Sequence, residues 1–247
     1  MTDPVFLSEL ADPLPEIGTT VVLDGSEGRH AATVRRIGPG ESVIIADGAG
    51  RGVRGTVVAT TKTSIDLEVT GLLTSDQPPL TITVAQALAK GDRSDIALEM
   101  ITELGAGTII PWQASRSIVR WQGERATKSH ARWLSTVREA TKQSRRLRVP
   151  EVTPVASTKQ LTSMIADHEL TLVLHEEATE RLADLRLPQT GAIMIIVGPE
   201  GGIAPSELDA FTAAGGRSVV ISDGVLRTST AAAVAIAGVL LRGTGTG

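Results

Sequence analysis

The 247-residue chain has no cysteine, no tyrosine, two phenylalanines and three tryptophans. Without cysteine there is no disulfide, no thiolate metal site and no cysteine nucleophile. With so few aromatics, the core must be built from Val, Ile, Leu and Ala. The four histidines, His30, His130, His168 and His175, are scattered, and none has H-E-x-x-H or comparable ligand spacing, so no metal is expected. No stretch reaches membrane-spanning length without charge, and Met1-Thr2-Asp3-Pro4 has no basic segment followed by an apolar one. A soluble, cytoplasmic protein with no membrane partner is expected. Positive charge is also scarce overall: the net charge is −4, which argues against a uniformly basic nucleic-acid binder. The distribution is uneven, however. From Arg116 to Arg148, ten Lys/Arg stand against Glu124 and Glu139, a local charge of +8 that leaves −12 for the remainder. Such a segment is either the footprint of a polyanion site or a solvated helix face, and the one-sided excess favours nucleic acid.

The length fits one large or two smaller domains. A boundary falls at Thr74-Ser75-Asp76-Gln77-Pro78-Pro79, where consecutive prolines follow polar residues. Before it, Thr19–Leu23, Ser42–Ala46, Gly52–Val58 and Ser64–Val69 are strand-like, and Asp24-Gly25 and Asp47-Gly48 mark turns, a pattern of a small β-barrel. After it, strands and helices alternate: strand Leu80–Val84, helix Asp92–Leu104 with Ile96, Ala97, Met100, Ile101 and Leu104 on one face, strand Thr108–Ile110, a basic helix from Glu124 to Arg146 ended by Pro150, and a helix capped by Ser157 running to His168. Strands Thr171–His175, Ala192–Val197 and Arg217–Ser222 and a helix Ser229–Leu241 complete an α/β domain with a mainly parallel sheet. The tail Gly243–Gly247 is expected to be disordered.

Two loops stand out. Gly198-Pro199-Glu200-Gly201-Gly202 follows the apolar run Ala192–Val197, and Leu226-Arg227-Thr228-Ser229-Thr230-Ala231 follows Val219–Ser222. Each reads as strand, loop, helix, and in open α/β sheets ligands collect where loops leave the carboxyl ends of strands. The Gly-rich loop matches neither G-x-G-x-x-G nor G-x-x-x-x-G-K-[ST], and it has no Lys or Arg. Pro205 and Glu207 suit the first turn of the following helix. A phosphate at that helix end would meet Glu200 and Glu207, so the loop suits a ligand that is neutral or cationic where it touches. S-adenosylmethionine has an adenine, a sulfonium cation and no phosphate. The alternative is a tight turn closing a strand–helix unit.

Together these motifs resemble the bacterial 16S ribosomal RNA uracil-N3 methyltransferases, the RsmE family of the SPOUT superfamily. The resemblance spans nearly the whole chain. It rests on His30-Ala31-Ala32-Thr33-Val34-Arg35-Arg36, Lys90-Gly91-Asp92-Arg93, Thr102-Glu103-Leu104-Gly105, Arg132-Trp133, Glu139-Ala140-Thr141-Lys142-Gln143-Ser144-Arg145-Arg146 and the two loops. One departure is Ser229, where the family usually has Glu; a Ser opening a helix also suits an N-cap. The resemblance implies a PUA-like, RNA-binding β-barrel over residues 1–74 and a SPOUT methyltransferase domain with a deep trefoil knot over 79–247. It also implies S-adenosylmethionine as methyl donor, 16S rRNA or the small ribosomal subunit as partner, and a homodimer.

On that reading the cofactor pocket comprises Leu174, His175 and Glu176, Gly198 through Pro199, Glu200 and Gly201 to Gly202, and Ile221 with Leu226, Arg227, Thr228, Ser229, Thr230 and Ala231. Attack by uracil N3 needs removal of its proton or stabilisation of the resulting anion. Glu200 is the candidate to orient the sulfonium or take the proton, or else is a carboxylate favouring a helix N-terminus. Arg146, or Arg145, is the candidate to stabilise charge on the uracil oxygens, and Gln143 to read the uracil edge. Arg35, Arg36 and the basic helix would grip phosphates, with Arg138, Lys142 and Arg145 at helical spacing on one track. Trp133 is core or a stacking platform, with core favoured. Alternatives from other classes are methylation at another RNA site, a non-catalytic RNA-binding protein, and an NAD-dependent oxidoreductase disfavoured by the missing fingerprint.

Overall fold

The computed structural model describes residues 3–243, so the Gly/Thr tail from Thr244 lies outside the described residues. The chain divides into two compact units, Met1–Gln77 with Arg138–Val149, and Pro78–Val137 with Pro150–Gly247.

The first unit is a five-stranded sheet built from β1 (Val5–Leu7), β2 (Thr20–Leu23), β3 (Ser42–Ala46), β4 (Arg51–Thr60) and β5 (Ile65–Thr74), in the order β1-β3-β4-β5-β2. All pairings are antiparallel except β1 with β3. Between β2 and β3 lie a short helix α1 (Gly25–Arg29) and one π-helical turn, His30–Val34. The alternation in β5 buries Ile65, Leu67 and Val69 against Leu23, Val43, Val53 and Val57. β1 was not evident in the sequence. At three residues it is too short to show a period, and it depends on its pairing with β3.

Residues 138–149 belong to this unit although they follow the linker by some sixty positions. Leu147 and Val149 pack with Val5, Leu7 and Ile44. Gly50 N–H donates to Leu147 O at 3.0 Å and Val149 N–H to Gly48 O at 2.9 Å. The Arg148 guanidinium donates to Ser75 O at 2.7 and 3.0 Å.

The second unit holds a seven-stranded sheet whose pairings are all parallel: β6 (Leu80–Ala87), β7 (Thr108–Gln113), β8 (Glu151–Val152), β9 (Ala156–Ser157), β10 (Leu170–Leu174), β11 (Gly191–Val197) and β12 (Arg217–Val219). The order is β12-β10-β11-β6-β7-β8, with β9 paired to β7. Burial on both faces explains the continuous apolar run of β11. The helices are α2 (Arg93–Glu103), α3 (Gly123–Gln143), α4 (Thr158–Met164), α5 (Pro205–Ala213) and α6 (Thr228–Gly243). Of these, α3 carries its last residues, from Arg138, into the first unit. Ser157 caps α4 in a capping box with Gln160, as its position suggested. Two expectations are corrected. Ile96, placed on the buried face of α2 by its spacing, is 41% exposed. α3 ends at Gln143 rather than Arg146, because Arg145 turns to φ +57°.

Candidate functional site

Strands β12, β10 and β11 are neighbours and parallel, so the segments leaving their carboxyl ends emerge on one edge of the sheet. There they enclose a cavity of about 760 Å³. Of the expected cofactor residues, Leu174, His175, Glu176, all of Gly198–Gly202, Ile221, Leu226, Arg227, Thr228 and Ala231 line it. Ser229 and Thr230 do not. α6 opens one residue earlier than expected, at Thr228, so Ser229 is buried inside its first turn instead of capping it. Thr230 Oγ1 is turned back onto Arg227 O at 3.2 Å.

The Gly-rich loop has little room. A Cβ on Gly198 would lie 2.8 Å from Ile203 Cγ1, and Gly202 has φ +71°, a conformation that disfavours side chains. Arg116 braces the loop, its Nη1 donating to Gly201 O at 3.1 Å and to Ile203 O at 3.4 Å. The two loops are joined through Thr228, whose Oγ1 donates to Gly198 O at 2.7 Å and accepts from Gln86 Nε2 at 3.0 Å. Gln86 is fully buried at the end of β6, and no hydrogen-bond partner reaches its Oε1.

Glu200 is engaged. Its Oε1 accepts from Lys90 N–H and from the Arg93 guanidinium, both at 3.1 Å. Lys90 and Arg93 flank the Gly91-Asp92 turn that opens α2, and Arg93 itself lines the cavity. Glu207 is a buried hub below the loop. It accepts from Ser115 N–H at 2.8 Å, Ser115 Oγ at 2.9 Å, Thr158 Oγ1 at 2.7 Å and Ala204 N–H at 3.2 Å. Its place in the first turn of α5 was expected; its use as a four-bond anchor was not. Gln86, Arg93 and Arg116 were not singled out as site residues. Arg93 stood inside the Lys90–Arg93 motif, but Gln86 looks like any polar residue at a strand end.

The basic segment proves heterogeneous. Arg116 braces the loop, Arg120 bonds Ser115 O at 2.9 Å, Arg132 pairs with Asp95, and Arg148 bonds Ser75 O. Lys142 is buried, its Nζ 2.8 Å from Glu27 and 2.7 Å from Glu139. The shared phosphate track of Arg138, Lys142 and Arg145 is therefore corrected: Lys142 neutralises carboxylates. Arg35, Arg36, Arg138, Gln143 and Arg145 are exposed residues of the first unit. Arg146, in the same unit, is half-buried, and burial lowers its pKa from the usual guanidinium value. It is not among the residues lining the 760 Å³ cavity. Trp133 is buried edge-on against Trp121, ring centroids 5.1 Å apart, which makes it core. His168 bonds Met164 O and Thr83 Oγ1, and His130 bonds the Val152 and Thr153 carbonyls, all structural contacts.

Residues 76–240 match the model of an RNA methyltransferase domain and residues 23–70 that of an RNA methyltransferase PUA domain. The ribosomal RNA small subunit methyltransferase E of Mycobacterium bovis is 47% identical over 92% of this chain and 88% of its own length. The chain belongs to the ribosomal RNA small subunit methyltransferase E family. The family protein of Bacillus subtilis is 29% identical over 96% of this chain and 98% of its own. The crystal structure of the methyltransferase E of Neisseria gonorrhoeae, bound to S-adenosyl methionine, superposes with a TM-score of 0.87 at 31% identity, covering 98% of each chain. Among the described residues, no helix of this family member is long and apolar enough to cross a membrane, and no group of three His, Asp or Glu is placed to hold a metal ion.

Proposed function

We propose that this chain transfers the methyl group of S-adenosylmethionine to N3 of a uridine in the 16S rRNA of the small ribosomal subunit. The observation that carries this reading is the cavity at the carboxyl ends of β10, β11 and β12, in a chain of this family. The residues fit the cofactor. Close-packed glycines let backbone groups approach a flat ring, and Glu176, Glu177, Glu200, Asp209 and Asp223 outnumber Arg93, Arg116 and Arg227 on the wall, which suits a cation and opposes a pyrophosphate. When bound, S-adenosylmethionine supplies an electrophilic methyl group on a sulfonium. Leu174, Ile221 and Leu226 would pack the adenine, with the backbone of 198–202 and 226–228 holding its edge. Calorimetry should show heat with S-adenosylmethionine and none with NAD, and nucleoside analysis of treated small subunits should show 3-methyluridine. Methylation at another position of the base, or none, would favour the alternatives.

The uracil must lose its N3 proton, which passes to solvent water, so its anion needs a stabilising cation. From the Glu139–Arg146 motif of the sequence, and not from any placement beside the cavity, we assign that to Arg146; to Glu200 we assign the orientation of Arg93 and of the loop at the cavity edge, consistent with its two hydrogen bonds. Arg146→Lys is expected to slow single-turnover methyl transfer about a hundredfold, equivalent to roughly 3 kcal/mol, while sparing cofactor affinity, because an ammonium cannot match paired guanidinium donors. A normal rate with weakened RNA binding would make Arg146 a phosphate contact.

Gln86→Leu is expected to weaken S-adenosylmethionine about tenfold, the worth of one lost hydrogen bond at the loop junction. Thr228→Val cuts both bonds of the relay and should cost at least as much, and the double variant no more than Thr228→Val alone. Additive losses in a titration would refute the relay.

The homodimer and the trefoil knot belong to the same reading. Exposed apolar side chains on two helices that pack together, Ile96 on α2 and Val234 and Leu241 on α6, 41%, 42% and 77% exposed, support a self-association surface. The return of the last strand–loop–helix segment, which packs α6 on α2, β6 and β11, supports the knot. A cytoplasmic location follows from the ribosomal substrate.

A further inference from the structure

We propose that a small pocket in the first unit binds a single phosphate of the RNA backbone, gripped jointly by Arg35 and Arg145. This rests on the RNA methyltransferase reading. The His30–Arg36 and Glu139–Arg146 segments, a hundred residues apart, meet there around a cavity of about 80 Å³. It holds a phosphate-sized group and has no room for a nucleobase with its ribose. The wall includes His30, Arg35, Glu139, Lys142, Gln143 and Arg145. His30 is set by an edge contact to Phe6, with ring centroids 6.2 Å apart. The one carboxylate on the wall, Glu139, is held by buried Lys142, 2.7 Å away, which also pairs with Glu27 at 2.8 Å. Among the described residues, neither Arg35 nor Arg145 takes part in an ion pair. A concave site is thus left with two exposed guanidiniums that take part in no ion pair, beside amide donors of Gln143, and its one carboxylate is already engaged by Lys142.

The backbone supports a functional reason for Arg145. It closes α3 as a Schellman motif: Arg146 N–H donates to Thr141 O at 3.1 Å and Arg145 N–H to Lys142 O at 3.2 Å, with Arg145 at φ +57°. Glycine is the residue that position favours. Arg36, next to Arg35, has φ +56° where the π turn ends. These are the two non-glycine residues with positive φ among the described residues, and both are arginines beside or on this wall. A cation stands where glycine would be less strained.

The test is the salt dependence of binding to a single-stranded RNA oligonucleotide, with full-length protein. One phosphate contact is worth about 0.7 in the slope of log K against log salt. Arg35→Gln and Arg145→Gln should each reduce the slope by about 0.7, and the double variant by the same about 0.7, because they share one phosphate. Arg145→Gly should melt at or above the wild-type temperature yet show the same slope loss, separating function from folding. Inorganic phosphate should shift the His30 imidazole signals in NMR spectra of the wild type and not of the Arg35/Arg145 double variant. Additive slope losses, unchanged slopes, or no phosphate effect on His30 would overturn the proposal. If the wild type binds S-adenosylmethionine but no RNA, the RNA reading itself fails, and a phosphate shift at His30 would then mark an anion site without RNA.

Discussion

Gly201→Val is expected to weaken S-adenosylmethionine binding on the order of a hundredfold, with the melting temperature changed by only a few degrees. A Cβ at this position would lie 3.3 Å from Arg116 Cβ and 3.5 Å from Arg116 O, so the two further carbons of valine have to displace the Arg116 side chain. That side chain holds the carbonyls of Gly201 and Ile203. Overpacking of this kind typically costs about 1–3 kcal/mol, and at the upper end that is about a hundredfold in affinity. The strain falls on an exposed loop rather than on the β6–β11 core, so the fold persists. Gly198→Ala is harsher per atom, since its Cβ would sit 2.8 Å from Ile203 Cγ1 and shift the carbonyl that accepts from Thr228. Calorimetric titration of both variants checks this, and wild-type affinity in Gly201→Val would show that the loop does not touch the cofactor.

Glu207→Ala is expected to lower stability by about 4 kcal/mol, or about 10 °C in melting temperature for a chain of this size. Four donors converge on this carboxylate, which is 5% exposed. The hydroxyls of Ser115 and Thr158 can turn elsewhere. The amides of Ser115 and Ala204, fixed by the backbone, cannot, so both lose the acceptor that the buried carboxylate supplies. Glu207→Gln should recover part of the loss, because one oxygen still accepts while the NH₂ group faces donors. Because Ser115 precedes Arg116, the alanine variant should also loosen the Gly-rich loop. A melting temperature within 2 °C of the wild type would contradict this account.

Much of the second unit was legible because each element carries its own signal. β11 is a run of branched apolar residues followed by Gly198-Pro199, and α5 opens with proline and a first-turn glutamate. The pocket segments were legible because parallel strands deliver their loops to one edge. What was hidden depends on contacts across the chain. Lys142 looks like one more cation on a basic helix until Glu27, 115 residues earlier, comes to 2.8 Å. Ile96 follows the apolar period of α2 but is 41% exposed, since a period marks a face without saying what covers it. Ser229 looked like a cap because the helix start was set one residue late, within the ordinary uncertainty of helix ends.

The first unit is interrupted in sequence, and this bears on how the protein can be made and dissected. On the ribosome its sheet emerges early, but Leu147 and Val149, which cover Val5, Leu7 and Ile44, arrive only after about seventy further residues. At translation speeds of 5–20 residues per second, the half-finished sheet waits several seconds with that apolar face uncovered. The same logic limits dissection. A fragment ending at Gln77 keeps Glu27 but loses Lys142, so it would carry an unanswered carboxylate as well as an open hydrophobic face. The N-terminal segment is therefore not a portable RNA-binding module, and grafting it onto another protein would require residues 138–149 to travel with it.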